Sequence, residues 1–401
     1  MRAETNSNSS SASMNAAARS ASSFAGLRQK VREGLATGLY YSGTLRALKT
    51  VEQTHVLYRS SGPTSFRLRR STTSKFGILC YHRVGTAGVP FHSTLEPRLF
   101  EAQIRYLKRR YRIVPLDQLC REMLNQESVP PTLSITFDDG YRDLYDCALP
   151  TLRKYAVPAT IYLIGRCVET GEAPWYDRIF AGFVAYPGDS LELHLDTVHR
   201  FCLRTKQSRL AAAWEVVCYL RSIQDVDRQR WCADFARQTR PPEEMLANRM
   251  LDWPQVRAMQ QAGVFFGAHT MHHPAVSQLD ASALRNELID SKLLLEQRLG
   301  APVDDFAYPF GKLTDGSGAA QDCLGKAGYR SAVTTIEGFN SPGEDPYKLR
   351  RLQIGDHCPL ATFAFNVSRL FLEAAAENPL VWSPVLSSPD PILRESAPSI
   401  S

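Results

Sequence analysis

Thr136-Phe137-Asp138-Asp139-Gly140 closes a short apolar run with two adjacent carboxylates and a glycine. A second apolar run, much later in the chain, ends in His269 and His273. Neighbouring strand residues point to opposite faces, but this constraint relaxes where a strand runs into a glycine turn. Asp138 and Asp139 can therefore reach one pocket. Together the two segments predict a divalent-metal centre with a spare carboxylate beside it.

The chemistry of these groups favours a metal-assisted hydrolase. Carboxylate oxygens and neutral imidazole nitrogens are ligands that a catalytic zinc-type ion takes in threes, leaving one position for water. One aspartate and two histidines complete that set, and the other aspartate remains to move protons. Histidines four residues apart can converge on one ion in helical or extended backbone, so this geometry stays open, and His272 should point away.

Two other metal sites fit the residues less well. The zinc-protease helix has a glutamate after its first histidine, whereas Thr270 follows His269 here. A non-haem iron oxygenase places one histidine near a carboxylate and the second histidine far away, whereas here the two histidines form the near pair. Each motif alone is weak, because turns favour Asp and Gly for local reasons.

The fold prediction comes from apolar, β-branched runs that alternate with helical periodicity, which is typical of a parallel sheet or barrel. The predicted strands are Gly77–Tyr81, Leu133–Phe137, Ala159–Ile164, Val264–Ala268, Asp305–Tyr308, Tyr329–Thr334 and Arg350–Ile354. The predicted helices are Arg98–Tyr111, Asp143–Tyr155, Ala281–Leu299, Gly318–Ala327 and Leu360–Ala376, the third capped by Asp280 and stopped by Gly300. The candidate site residues follow carboxyl ends of these strands, where α/β active sites are built.

Four motifs resemble the polysaccharide deacetylases, also called the NodB-homology or carbohydrate esterase four family. They are Tyr81-His82-Arg83-Val84, Thr136-Phe137-Asp138-Asp139-Gly140-Tyr141, Gly267-Ala268-His269-Thr270-Met271-His272-His273-Pro274 and Phe306-Ala307-Tyr308-Pro309-Phe310-Gly311. The resemblance covers roughly Lys75 to Leu372. It implies an α/β fold, a distorted (β/α)7 barrel, that removes acetyl groups from N-acetylated sugars. By this likeness Asp139, His269 and His273 are the metal ligands, Zn²⁺ is the expected ion, and Asp138 is the general base.

The chain departs from the family pattern in two places. Many members have an arginine at the position of Ala307, where it holds the catalytic aspartate, and many end in a histidine that acts as general acid. The nearest candidate for that acid is His357. The Tyr-His-x-Val start and the Ala-Tyr-Pro motif resemble the exopolysaccharide-associated branch, where the arginine is often lost. These departures leave open a non-catalytic carbohydrate-binding or scaffold protein, and an O-deacetylase or deformylase variant.

The substrate-binding candidates lie in or beside the motifs. They are His82, Tyr141, Tyr308, Pro309 and Phe310, and aromatic faces among them suit sugar stacking. Trp175 and Tyr176 open a long insertion, residues 166–251, with helical patterning around Leu210–Ser222 and Val226–Arg237. Because this insertion leaves the catalytic end of the barrel, we expect it to shape access of the substrate.

Composition divides the chain into four segments. Residues 1–23 are rich in Ser and Asn and residues 373–401 in Pro and Ser, so we predict that both tails are disordered. Residues 24–74 are predicted to form a basic helical extension, and residues 75–372 the deacetylase barrel. Residues 1–75 contain 12 Lys or Arg against 3 Asp or Glu, so the positive charge of the chain is concentrated there.

The basic extension suggests where the protein acts. Residues 24–51 mix Leu, Phe and Tyr with Arg and Lys at helical spacing, which suits peripheral contact with an anionic membrane. A solvated helix that packs on the barrel is the main alternative, and a nucleic-acid patch is less favoured. No segment of the sequence has the length of a spanning helix or the core of a signal peptide. Nine cysteines without a CxxC pair predict reduced thiols. We therefore expect a cytoplasmic enzyme whose partner is an acetylated amino-sugar glycan or a lipid-linked sugar.

Overall fold

A computed structural model describes residues 56–59, 66–69, 75–86, 94–247, 249–355 and 358–372. Its strands are β1 (Val56–Arg59), β2 (Phe66–Arg69), β3 (Phe76–Tyr81), β4 (Arg112–Ile113), β5 (Thr132–Phe137), β6 (Ala159–Leu163), β7 (Ser190–His194), β8 (Val198–Cys202), β9 (Val264–Ala268), β10 (Asp305–Ala307), β11 (Ser331–Val333) and β12 (Leu352–Gln353).

The helices follow the strands in alternation over most of this length. They are α1 (Pro97–Lys108), α2 (Leu116–Leu124), α3 (Leu149–Tyr155), α4 (Gly165–Thr170), α5 (Trp175–Ala185), α6 (Lys206–Leu220), α7 (Asp225–Thr239), α8 (Trp253–Gln261), α9 (Ala281–Leu299), α10 (Gly318–Ala327) and α11 (Leu360–Leu372). A π-helical turn, Leu144–Ala148, precedes α3. Asp280 caps α9 by accepting hydrogen bonds from the backbone N–H groups of Ser282 and Ala283, and Gly300 ends it at a φ of 64°.

The main sheet is a curled parallel sheet with the strand order β11-β10-β9-β6-β5-β3-β12. The strands follow chain order from β3 to β11, and β12 returns to the far side of β3, as a barrel requires. A bridge between Val333 and Leu349 then links β11 to the segment that enters β12. The predicted α/β fold, a distorted (β/α)7 barrel, is confirmed.

Period-two alternation divides the strands into an outer and an inner face. On β5 the odd-numbered residues Leu133, Ile135 and Phe137 belong to the large apolar cluster between the sheet and its helices. The even-numbered positions are polar: Thr136, for example, is buried and donates its hydroxyl to the carbonyl of Leu79. A smaller apolar cluster that includes Phe76 and Tyr162 packs against α2. The inner face therefore changes from apolar at one end to polar at the site.

The insertion forms a layer with its own apolar core. Helices α5, α6 and α7 pack together, and Phe183, Val216 and Phe235 lie in one buried cluster with residues of the antiparallel hairpin β7–β8. The two predicted helical patterns correspond to α6 and α7. The hairpin and α5 were not predicted, although the alternating burial of Ser190–His194 follows an alternation of polar residues with Leu191 and Leu193.

The N-terminal extension differs from its prediction where the structure describes it. Strands β1 and β2 pair antiparallel, from Val56 with Arg69 to Arg59 with Phe66, so the expectation of a wholly helical extension is wrong for this part. Its β-branched and aromatic residues suit an extended backbone. The proposed interfacial helix, residues 24–51, and both predicted tails lie outside the described residues. In the described part of the chain, none of the helices combines the length and apolar character needed to cross a bilayer.

Asp305, at the start of β10, gives the fold a pH dependence. Burial raises the pKa of this carboxyl to about 6, although the Ser331 hydroxyl, which donates to it at 2.6 Å, opposes the shift. An unfolded aspartate titrates near ~3.9. Between these two pH values the folded chain holds a proton that the unfolded chain has lost, so the free energy of unfolding falls as pH rises from about 4 to 6.

We therefore expect Asp305→Asn to raise the free energy of unfolding at pH 8 by about 1 to 3 kcal/mol, and to change it little at pH 4. Urea unfolding at both pH values measures this difference. Asp304→Asn, on the adjacent and more exposed residue, is the control. An equal gain at both pH values would contradict the assignment, because it would not depend on the ionisation of Asp305.

Candidate active site

Three predicted metal ligands meet at the carboxyl ends of β5 and β9. The Asp139 Oδ1 atom lies 3.6 Å from Nε2 of His269 and 3.5 Å from Nε2 of His273, and all three side chains are buried. Ligand atoms held at about 2.0 to 2.2 Å from a tetrahedral ion are about 3.3 to 3.5 Å apart. The spacing of these two oxygen–nitrogen pairs therefore fits a zinc-sized ion.

Backbone conformation explains how both aspartates reach one site. Asp138 continues the inner face of β5, so Asp139 would point outward if the strand were regular. Asp139 instead has a φ of 73°, a left-handed conformation that few residues other than glycine adopt. His273 and Phe310 also have positive φ values, 55° and 59°. Such backbone strain persists where surrounding contacts fix it, and it is concentrated here around the proposed ion site.

One imidazole is held by a hydrogen bond in the orientation of a ligand, and the other is kept neutral by burial. The Nδ1 atom of His269 lies 2.6 Å from the carbonyl of Ala307, a contact that fits Nδ1–H as donor and leaves Nε2 facing Asp139. Burial, aided by His269 and Arg228, holds the pKa of His273 well below its usual range. A neutral imidazole next to a carboxylate is the chemistry that a divalent ion needs. The donor set therefore fits a resident divalent ion.

Arg351 holds the second aspartate. Its two terminal nitrogens each lie 2.7 Å from one oxygen of Asp138, Nε donates to the carbonyl of Thr334 at 2.7 Å, and the guanidinium also reaches the hydroxyl of Thr136. Burial opposes the charge on Asp138, but the guanidinium outweighs it and keeps the pKa of that carboxyl well below its usual range. Sequence reasoning found no arginine for this role. The structure supplies it from the start of β12.

Cys80, His82 and Asp138 form a second group of metal-binding residue types, with ligand atoms within 4.8 Å of one another. Both oxygens of Asp138 are already bonded to the guanidinium of Arg351, which would repel a cation. Burial raises the pKa of Cys80, so its sulfur stays a thiol, 3.5 Å from Asp138. This group therefore does not fit a metal ion. Its half-buried member, His82, instead places an imidazole beside the candidate base.

Glu287 of α9 shapes the loop that carries the two candidate metal-ligand histidines. Its carboxylate accepts hydrogen bonds from the backbone N–H groups of Met271 and His272, at 2.8 and 3.0 Å. It also lies 2.7 Å from Nδ1 of His272, which therefore takes no part in the triad. Gly267 leads into this loop from β9. A Cβ there would lie 2.5 Å from the ring of Tyr162, so only glycine fits.

The insertion forms one wall of the site. The ring of Tyr176 contacts that of His273 with centroids 5.0 Å apart, and the indole of Trp175 donates to the backbone carbonyl of His273 at 3.0 Å. Phe310, from the loop after β10, packs on His273 from another side at 4.8 Å, and the guanidinium of Arg221 lies over the Phe310 ring at 4.2 Å. The insertion therefore fixes the position of a candidate metal-ligand histidine and also borders the site.

The burial of three residues contradicts their predicted role in binding substrate. Tyr141 and Tyr308 are fully buried, with their hydroxyls donating to Asp177 and to the carbonyl of Tyr347, and Pro309 is also buried. These three residues form the wall and present no face to a sugar. His82 and Phe310 are partly exposed at the site. The predicted acid His357 lies outside the described residues.

Comparison with known proteins identifies the family. The sequence profile described as polysaccharide deacetylase matches residues 125–331, more than half of the chain. The chain belongs to the polysaccharide deacetylase family. It is therefore a hydrolase of the class that acts on N-acetyl amide bonds of carbohydrates, as the four motifs predicted. The matched segment includes the aspartate pair and both candidate metal-ligand histidines, whereas His82 and Arg351 lie outside it.

Individual relatives are distant. The Bacillus subtilis protein YxkH, whose name assigns it to the polysaccharide deacetylases, is 22% identical over 294 residues, 73% of this chain and 75% of its own length. The Streptococcus pyogenes deacetylase PplD in complex with acetate aligns at 21% identity with a TM-score of 0.51, covering 74% of this chain and 99% of that one. IcaB from Ammonifex degensii aligns at 18% identity with a TM-score of 0.48, covering 74% and 97%. The PplD alignment supports the shared fold.

The Arg351 to Asp138 pair predicts a characteristic double-mutant result. Arg351→Met leaves a buried carboxylate without its partner, so we expect a loss of about 3 to 5 kcal/mol in the free energy of unfolding, measured in urea. The double variant Arg351→Met, Asp138→Asn should recover most of that loss, because no unpaired charge remains. Arg350→Met, on the exposed neighbouring residue, is the control. A double variant as unstable as Arg351→Met would contradict the pairing.

Proposed function

We propose that this polysaccharide deacetylase uses a divalent ion, Zn²⁺ by its ligand set, to remove acetyl groups from N-acetylated amino sugars of a polysaccharide or its lipid-linked precursor. The observation that carries the proposal is the convergence of Asp139, His269 and His273 on one point beside the ionised carboxylate of Asp138. When bound there, such an ion polarises an acetyl carbonyl and lowers the pKa of water. The protein's own side chains carry out every other step of the reaction.

Asp138 is the proposed general base. It remains ionised at working pH because Arg351 stabilises its charge, and it lies beside the proposed ligand Asp139, where the attacking water is needed. The same stabilisation makes the Asp138 carboxylate a weak base, so it readily gives up a proton that it has taken from water. The bidentate arginine also fixes the direction of both carboxylate oxygens, and such orientation contributes to rate.

His82 is the proposed general acid, in preference to His357. Cleavage of the amide releases acetate and a free amine, and the departing nitrogen must receive a proton, because an amide anion is a very poor leaving group. His82 places a ring nitrogen within 4.8 Å of the Asp138 carboxylate and is partly exposed at the site. Base and acid therefore stand at the ends of the neighbouring strands β5 and β3, close enough to flank one amide.

Only the resemblance of two sequence motifs indicates which kind of sugar polymer is the substrate. The Tyr-His-x-Val and Ala-Tyr-Pro motifs suit an enzyme of exopolysaccharide biosynthesis. Its cytoplasmic placement, its contact with a membrane through residues 24–51 and its use of a lipid-linked sugar remain predictions from the basic N-terminal segment. The acetate complex of the PplD relative agrees with an acyl product of this size.

The function is tested by acetate release from N-acetylated glucosamine oligosaccharides, with zinc measured in the purified protein. We expect about one zinc per chain, loss of activity on chelation and its return with added Zn²⁺. Asp138→Asn should lower kcat by about 10² to 10⁴-fold, the usual contribution of a general base. Asp290→Asn, an exposed residue of α9, is the control.

Each alternative function has its own outcome in that assay. A protein that binds the oligosaccharide without releasing acetate, with or without zinc, is a carbohydrate-binding or scaffold protein. Release only from O-acetylated or N-formylated sugars identifies the esterase or deformylase variant. Full activity in Asp138→Asn would contradict the proposed base.

The two candidate acids are separated by substitution. His82→Gln should lower kcat by about 10² to 10⁴-fold, because the amine then departs without a positioned proton donor. The loss should be smaller for a substrate with a better leaving group, such as an acetylated phenol, which needs no proton to depart. His357→Gln tests the alternative directly. If it causes the larger loss and His82→Gln has full activity, the acid is His357.

A further inference from the structure

A cavity of about 250 Å³ lies where the insertion meets the loop of the two candidate metal-ligand histidines. His272 lines it from that loop, and Arg166 of α4, Arg178 of α5 and Arg228 of α7 line it from the insertion. The indole of Trp175 is also part of the lining. This volume is below the usual range for drug-sized ligands, so the cavity suits a small ion or a single group of a larger molecule.

Positive charge exceeds negative charge in this cavity. Three arginines line it, and Glu172 is the one carboxylate among the described residues of the lining. Asp225 bonds to Arg228 from outside the lining, and three arginines against these two carboxylates still leave a charge of +1. A protonated His272 would be balanced by Glu287, which lies 2.7 Å from its ring. An excess of positive charge in a small cavity favours an anion and opposes a cation.

The arginines of the lining have donors that the protein does not use. Within the described part of the chain, the half-buried side chain of Arg178 forms neither an ion pair nor a hydrogen bond. Arg228 is only 4% exposed and directs Nε and Nη2 to Asp225, whereas its Nη1 has no described hydrogen-bond partner and is not sealed from solvent. Arg166 approaches Glu172 only at 3.7 Å, with about half of each side chain exposed. These guanidinium groups are therefore available to an anion that enters the cavity.

The number of guanidinium groups indicates which kind of anion the cavity binds. Arginine binds carboxylates and phosphates through paired hydrogen bonds. One guanidinium satisfies the two oxygens of a carboxylate, whereas a phosphate has further oxygens for a second and a third arginine. Here the three arginines belong to three different helices, α4, α5 and α7. This arrangement favours a phosphate over a carboxylate.

We infer that this cavity is a phosphate-binding site, for free phosphate or for a phosphate group on a sugar, with Arg178 as its principal ligand and Arg166 and Arg228 as further ligands. The guanidinium of Arg228 lies over the ring of Trp175 at 4.8 Å, and that indole donates to the backbone carbonyl of His273. A phosphate that bridges α4, α5 and α7 therefore stabilises the helices that support His273. The site does not depend on the deacetylase reaction.

Calorimetric titration of inorganic phosphate into the zinc-free protein, at constant ionic strength, tests this site. The metal is removed first so that no ion at the proposed centre binds the phosphate. We expect about one phosphate per chain, and Arg178→Gln should weaken its binding about tenfold to a hundredfold, the value of a hydrogen bond to a charged group. Because phosphate binds the folded chain, it should also raise the unfolding temperature of the wild type more than that of Arg178→Gln.

Arg230→Gln is the matched control. Arg230 lies on α7, is 76% exposed and is not part of the cavity lining. Its substitution removes the same charge, so any general attraction of phosphate to a basic protein falls equally in both variants. Without phosphate both variants should unfold near the wild-type temperature, because Arg178 has no described partner to lose and the exposed ion pair of Arg230 contributes little. Equal phosphate affinity in the two variants, or no phosphate binding by the wild type, would overturn the site.

N-acetylglucosamine 1-phosphate separates the two sources of the phosphate. If it competes with inorganic phosphate and its binding also requires Arg178, the site takes a phosphate group that is carried by a sugar. If inorganic phosphate alone binds, the site takes a free anion that stabilises the insertion. Acetate release by the zinc-loaded protein tests the proposed function separately. A protein that binds phosphate through Arg178 but releases no acetate retains the site and loses the function, and the reverse result retains only the function.

Discussion

The buried ion pair between Arg351 and Asp138 is the interaction on which the site depends. Two charges on the inside of a barrel are costly unless each satisfies the other, and here both oxygens of the carboxylate are bonded to the guanidinium. The pair joins the start of β12 to the end of β5. Because β12 is only two residues long and meets β3 through two register positions, this link helps fix the last strand of the sheet as well as the candidate base. The same ion pair therefore contributes both to the placement of the last strand and to the orientation of the candidate base.

The alternation of side chains along the strands places the other polar groups of the site around that ion pair. Inner positions of neighbouring strands carry Cys80 and His82 on one side and Asp138 on the other, so the polar groups converge wherever the strands end. Asp139 departs from the alternation through its left-handed backbone. A regular strand would supply one carboxylate to the site. The strained residue supplies the second, so two adjacent residues place their carboxylates in the same site.

Local patterns predicted much of the fold, and contacts distant in sequence explain what they missed. Val264–Ala268, Ala281–Leu299 and Gly318–Ala327 have the predicted bounds, since strong periodicity and caps define them. The aspartate pair and HxxxH motif were visible because their residues are neighbours in sequence. Arg351 was not recognised because its partner is 213 residues away, although a buried arginine between Leu349 and Leu352 requires a carboxylate. Likewise, residue type does not reveal the positive φ of Asp139.

The insertion supports the candidate ion site and does not only border it. A surface loop that only bordered the cleft could be altered without effect on the ion site, but Trp175 bonds to the backbone of His273 and Tyr176 packs on its ring. His273 itself has a left-handed φ, so its position depends on contacts from outside the barrel. The same segment returns through Arg249, whose carbonyl accepts from the N–H of Arg142 at 2.7 Å. One layer with its own apolar core thus contacts both the candidate ion ligand His273 and the segment that follows β5, so the candidate site is built by the barrel and the insertion together.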